Sequence, residues 1–166
     1  MMLQATNKPN LISFAGGLPN PSSFLTQKWQ QPHKKYLISM VQSLMQYSIP
    51  EGYLPLRQFI AHQYLKQGID ISANDIIITN GSQQALDILS AVLIDEGDKI
   101  LIEKPSYLAA LQVFHLYNPK INSVTLNHHG IDLQELTAYL EQKPKFFYAI
   151  PTFQNPTGLT YDNETR

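Results

Sequence analysis

Three short stretches of this chain carry residues whose types and spacing could do chemistry. Asn80-Gly81-Ser82-Gln83-Gln84 follows a β-branched run and opens directly into a helical pattern. Glycine permits a sharp turn, Ser82 can cap, and the free N–H groups of a helix's first turn, reinforced by its dipole, favour a phosphate or another anion. An ordinary strand–turn–helix joint with a serine cap has the same residues, so both readings stand on this stretch alone. Lys104-Pro105-Ser106-Tyr107 follows the next β-branched run and brings an aromatic ring to the same kind of junction. Such a ring can stack on a planar ligand, although tyrosines at these joints more often only pack. In Pro151-Thr152-Phe153-Gln154-Asn155-Pro156-Thr157-Gly158 two prolines bracket a stiff segment, which fixes the direction of the Asn155 amide. Asn before Pro is also a common turn former.

Taken together, the three offer an anion site, an aromatic face and a rigid amide. A planar aromatic phosphate ester would use all of them. Other chemistries find less support. The sequence has neither GxGxxG nor GxxxxGK[ST], which disfavours dinucleotide and nucleoside-triphosphate sites. His128-His129 has no third ligand at suitable spacing and reads as a polar loop. His33, His62 and His115 fall on helical segments and read as ordinary residues. Glu103 and Asp87 lie near strand ends without a recognisable acid–base partner, and Arg57 is given no catalytic role.

These stretches need elements to position them. Residues 1–24 are rich in Pro, Gly, Asn and Ser and read as an arm. Tyr36, Leu37, Met40, Val41, Leu44 and Met45 give helical spacing up to Tyr47, with the start set after Pro32. Leu56, Phe59, Ile60 and Tyr64 share one face of a second helix that stops at Gly68. Beyond it the pattern alternates. Strands are expected at Ile76–Thr79, Lys99–Glu103, Ile121–Leu126 and Phe146–Ile150. Helices are expected over Ser82–Asp95, Tyr107–Leu116 and Asp132–Gln142, the last capped by Asp132. That order predicts an α/β architecture: a mostly parallel sheet with right-handed crossovers and flanking helices. In such sheets ligands gather beyond the carboxyl ends of the strands, where all three stretches fall.

Composition sets the outer bounds. With 166 residues, 43% hydrophobic and 15% charged, the chain suits one globular core. A net charge of -1 gives no electrostatic case for nucleic acid or an anionic membrane, and Lys34-Lys35 reads as a solvated helix face. The absence of cysteine excludes disulfides, thiolate metal sites and a cysteine nucleophile. Met1–Lys8 lacks the layout of a signal peptide, and no run approaches the ~18 apolar residues of a membrane span, so a cytoplasmic protein is expected.

The motifs, in order, are Gly16-Gly17-Leu18-Pro19, Tyr47-Ser48-Ile49-Pro50-Glu51-Gly52, Leu56-Arg57, Gly81–Asp87, Pro105-Ser106-Tyr107 and Asn155-Pro156-Thr157-Gly158. Each is weak or moderate by itself, but in this order and spacing they resemble fold-type I pyridoxal-phosphate enzymes, specifically class I/II aminotransferases. The arm and the Gln-Asn-Pro-Thr-Gly stretch are most similar to the branch with 2-aminoadipate and kynurenine aminotransferases. The resemblance covers nearly the whole chain and implies pyridoxal 5'-phosphate as cofactor, with an amino acid and a 2-oxo acid as substrates. It implies that the Ser82 and Gln83 backbone N–H groups bind the cofactor phosphate. Tyr107 would stack on the ring and Asn155 would bond its phenolic oxygen. Tyr47 would reach a neighbouring subunit's phosphate, so a homodimer is implied. Gly17 would close over the substrate, with Tyr47 and Asn155 also on the substrate side.

The same resemblance implies a division into an arm, 1–24, and an incomplete cofactor-binding large domain, 25–166. Arg166 precedes the positions where such enzymes carry the ring-nitrogen Asp and the Schiff-base lysine, which there follows a serine by three residues. No serine of this chain has a lysine at that offset. The chain as given is therefore expected to hold no catalytic lysine and to transfer no amino group. Two alternatives share the scaffold. One is the effector-sensing domain of a transcriptional regulator, against which the start at Met1, with no basic helix-turn-helix ahead of the arm, argues. The other is a lyase or synthase.

Overall fold

The computed structural model describes residues 21–23 and 46–166. Gly17 and nearly all of the first expected helix lie outside them. The chain divides into two compact units, residues 1–49 and 50–166. In the first, Pro21–Ser23 forms a 3-10 turn, and Tyr47 is fully exposed.

In the second unit the elements run α1 (Leu54–Leu65), α2 (Ser82–Leu93), β1 (Lys99–Lys104), α3 (Leu108–Phe114), β2 (Lys120–Asn127), β3 (Gly130–Ile131), α4 (Leu133–Leu140) and β4 (Phe147–Tyr148). Single 3-10 turns at Ala73–Asp75 and His115–Tyr117 complete the set. β1 lies between β2 and β4 and is parallel to both, with Ile102 opposite Ser123 on one side and Tyr148 on the other. β3 turns back antiparallel on β2, giving the order β3-β2-β1-β4. Two parallel neighbours bury a strand on both faces, and Ile100, Leu101, Ile102 and Glu103 are all buried.

Side chains on a strand alternate between faces. Ile100 and Ile102 pack with Ile94, Ala110 and Phe114, joined by Leu86 of α2 and by Tyr107, Phe146 and Tyr148. Phe114 meets the rings of Phe146 and Tyr148 edge-on, with centroids 5.6 and 5.4 Å away. Burying a side chain of that size contributes roughly 1.5–3 kcal/mol, and edge-on ring pairs add to it. Leu101 faces the other way, onto Val124, Ile131 and Tyr161, with Leu136 and Tyr139 of α4 against them. α2 and α3 thus cover one face of the sheet and α4 the other. α4 begins where expected, because the Asp132 carboxylate accepts from the N–H groups of Gln134 and Glu135.

Two expectations are corrected. Ile76–Thr79 forms no strand and has no ladder partner among the described strands. A β-branched run fixes backbone shape, whereas a strand also needs a neighbour for its N–H and C=O groups. The Ile78 N–H donates to Glu51 O at 2.9 Å instead. That contact explains Gly52: its φ is +99°, and a Cβ there would meet Ile78 at 2.7 Å. The fourth strand shrinks to Phe147–Tyr148, because β1 pairs with it only at Leu101 and Ile102. On α1, Leu56, Phe59 and Tyr64 are exposed, and the buried residue is Arg57. Its guanidinium donates to Gly52 O at 3.1 Å and Ala73 O at 2.8 Å, so burial is compensated by backbone acceptors.

Candidate active site

The parallel register sends the carboxyl ends of β1 and β4 to the same side of the sheet. Tyr107 follows β1 by three residues and Asn155 follows β4 by seven. Tyr107 is half-buried, packed on the Ile100–Ile102 core at the N-cap of α3. Asn155 is exposed. Its predecessor Gln154 is 1% exposed, and the Gln154 Nε2 donates to Pro105 O at 2.8 Å. That bond ties the loop after β4 to the segment leading into Tyr107. The Lys104–Pro105 and Asn155–Pro156 peptide bonds, one on each of these loops, are both cis.

Ser82 and Gln83 reach the same place by another route. α2 starts at Ser82, but its N-cap is Gly81, with φ +84°, and no side chain caps the helix. The expected Ser82 cap is therefore corrected: the serine lies one position inside, where its hydroxyl is no longer placed to accept from the first turn. The first-turn N–H groups keep the free valence that a helix start always has. Gln83 Nε2 donates to Ala109 O in the first turn of α3, at 3.4 Å, and Gln84 Oε1 accepts from the Asn80 N–H. The Tyr107 segment is thus bonded on one side to the neighbour of Asn155 and on the other to Gln83.

A buried acid stands behind this arrangement. Glu103 is 0% exposed and accepts from the Ile150 N–H at 3.0 Å, from Gln154 Nε2 at 3.2 Å and from the Tyr161 hydroxyl in a short bond. Gln154 Oε1 accepts from both the N–H and the hydroxyl of Thr157, so its amide is fully used. Burial, then the bond to Glu103 and its charge, push the Tyr161 phenol well above the usual range. Burial also raises Tyr148, with smaller contributions from Glu103 and Tyr107.

The sequence reading gave Glu103 no partner and assigned no role to Gln154 or Tyr161. A signal was available for the first: a charged residue inside an apolar strand with parallel neighbours has to be paired. Its partners lie 47 to 58 residues ahead and carry no local mark. Asp87, also given no partner, accepts from the Tyr117 hydroxyl at 3.0 Å. His129 meets Asp162 at 2.9 Å on the surface. Among the described residues no cluster of three or more acidic or histidine side chains could hold a metal, and no helix is long and apolar enough to cross a membrane. Two open grooves of ≈ 490 and ≈ 500 Å³ lie along α4 and are lined by neither Ser82, Tyr107 nor Asn155.

The parallel β1 and β4, with helices on both faces of the sheet, define an α/β class, and the family model for aminotransferase class I and II matches residues 12–165. The chain belongs to that family. A 2-aminoadipate transaminase of Thermus thermophilus is 41% identical over 95% of this chain, which spans 38% of that protein's length. The crystal structure of a kynurenine aminotransferase from Pyrococcus horikoshii, in complex with PMP, superposes with a TM-score of 0.86 at 35% identity. The match covers 98% of this chain and 42% of that one. An uncharacterized HTH-type transcriptional regulator of Escherichia coli, YdcR, is 34% identical over 96% of this chain and 34% of its own length. The chain thus spans about two fifths of the enzymes it resembles.

Proposed function

We propose that these residues are the cofactor-holding portion of a pyridoxal-5'-phosphate-dependent aminotransferase that moves an amino group between an amino acid and a 2-oxo acid. The observation that carries this reading is the double tie of the Tyr107 segment, by Gln154 to Pro105 and by Gln83 to Ala109. The residues present suit the cofactor. The Ser82 and Gln83 N–H groups sit at an uncapped helix start, suited to a phosphate. The Ser106 hydroxyl, beside Tyr107, is buried without a partner, which marks a place where a polar group is still to come. Bound pyridoxal phosphate would supply the electron sink for amino-group transfer. For their part, Ser82 and Gln83 hold the phosphate, Tyr107 supports the ring face and Asn155 bonds the phenolic oxygen.

The finer assignments belong to the same proposal. Tyr47 serves the partner's site across a homodimer, and Gly17, Tyr47 and Asn155 lie on the substrate side. The arm is 1–24 and the cofactor domain 25–166, in a cytoplasmic protein. The likeness to an HTH-type regulator favours one second reading, an effector-sensing domain that binds the same cofactor without turnover.

The test is to titrate the purified chain with pyridoxal 5'-phosphate by absorbance and to assay transfer from 2-aminoadipate or glutamate. Weak saturable binding is expected, reduced by Tyr107→Ala and by Asn155→Ala, with no transfer by the 166 residues alone. Binding that ignores both substitutions would remove the cofactor reading. A single stoichiometric adduct with measurable transfer would show that one of the ten lysines acts as catalyst.

A further inference from the structure

We propose that Glu103 is the positioning residue of this site: its buried carboxylate holds the 150–161 loop so that the Asn155 amide faces the Tyr107 end of β1. The inference rests on the cofactor reading for what Asn155 touches, but not for how Asn155 is held. An acid with no exposure is expensive unless paired, and among the described residues Glu103 makes no ion pair. Its partners are instead three donors spread along one loop: Ile150 at the exit of β4, Gln154 in the middle and Tyr161 at the far end. A carboxylate is a pure acceptor with two oxygens, so it can take all three at once, which no neutral side chain of similar size can do. The loop also closes on itself around these points. The Gln154 N–H donates to Leu159 O at 2.8 Å, the Tyr161 N–H donates to Pro151 O at 2.9 Å, and the Phe153 N–H donates to the Thr160 hydroxyl at 3.1 Å. Gln154 then passes the constraint on, because the same Nε2 that donates to Glu103 also donates to Pro105 O. Asn155 is the next residue, and although exposed it has a fixed origin.

The reaction uses Glu103 only through this loop. The carboxylate lies on the Leu101 face of β1, which packs on Tyr161, while Tyr107 packs on the opposite, Ile100–Ile102 face.

The experiment uses the full chain with Glu103→Gln, Glu103→Leu, Asn155→Ala and the Glu103→Gln/Asn155→Ala pair. Two readouts are taken. The first is amide hydrogen exchange in residues 150–161 against α4. The second is affinity for 4'-deoxypyridoxine 5'-phosphate, which has no aldehyde and so leaves surface lysines alone. An amide can accept at most part of what the carboxylate accepts, so Glu103→Gln is expected to speed exchange in the loop while α4 stays as before. It should weaken the probe about tenfold, since hydrogen bonds to charged groups are the stronger ones. With Asn155→Ala already present, the further loss should be under about twofold, because residues acting through one another are not additive. Glu103→Leu should enlarge the exchange effect; if it unfolds the chain, the glutamine variant carries the test. Unchanged loop exchange in the folded Gln variant overturns the proposal, as does an equal loss of probe affinity with and without Asn155. If the unmodified chain ignores the probe, the cofactor reading fails, and loop exchange still decides whether Glu103 positions Asn155.

Discussion

Behind Asn155 stands a buried carboxylate with three donors and a glutamine whose amide is fully used. Behind Ser82 the chain runs through Ile76–Thr79, which has no strand partner among the described residues, and α2's start is bonded to α3 by one 3.4 Å contact from Gln83. The two ends flank the same tyrosine segment, and the roles proposed for them make different demands. An anion site needs free N–H groups, and any helix start supplies them wherever the glycine turn allows. An amide that must point in one direction needs its backbone held from several sides, and here buried polar groups do the holding. At the Asn155 end the holding is done by Glu103 and Gln154, both buried.

The contrast breaks most readily at Glu103. Glu103→Leu strands three buried donors and is expected to lower the unfolding free energy by about 3–5 kcal/mol, measured by urea denaturation. A loss below about 1 kcal/mol would mean that the loop repacks and that the two ends are alike.

Tyr161→Phe removes one donor and should cost about 1–2 kcal/mol at neutral pH. It also has a pH signature. The folded phenol holds its proton more tightly than the ordinary value of 10.0, so its contribution is complete below pH 10 and is lost as pH rises beyond that. Urea midpoints followed from neutrality into alkali should fall more steeply for the unmodified chain than for the Phe variant. Parallel curves would count against a buried, proton-donating Tyr161.

Gln83→Ala sharpens the comparison from the other end. The side chain is exposed and its bond long, so the stability change should stay within about 0.5 kcal/mol. Faster amide exchange in the first turn of α2 is nonetheless expected. A change as large as that of Tyr161→Phe would show the α2 end to be equally built.

The smallest effect concerns the surface where the 150–161 loop leaves the site. Asp162 is held below its ordinary 3.8 first by its bonds with Thr165 and then by His129. Its contribution is present above pH 3.8 and disappears as pH falls through the lower folded value. Acid titration of Asp162→Asn should therefore show a slightly shallower limb, and the His129 share should fade in high salt.

Much of this was legible in the residues. β1 and β2, the helices after them and the Asp132 cap follow from patterns confined to a few neighbours, as does the helix opened by Gly81. Ile76–Thr79 misled because β-branching reports backbone preference, and pairing depends on what lies alongside. On α1 the spacing marks which residues share a side and leaves open whether that side is covered. Glu103 was visible as a charge in an apolar strand but not interpretable, because Ile150, Gln154 and Tyr161 are all distant in sequence.

By itself the sequence determined the family and the parallel α/β plan, because each is written in local spacing or in motif order. Only the tertiary structure decided that Gly81 rather than Ser82 caps α2, that Arg57 is buried on backbone carbonyls, and that Glu103 gathers the Asn155 loop. Those depend on backbone geometry and on which groups meet in space, and a buried polar group takes its role from the partner that satisfies it.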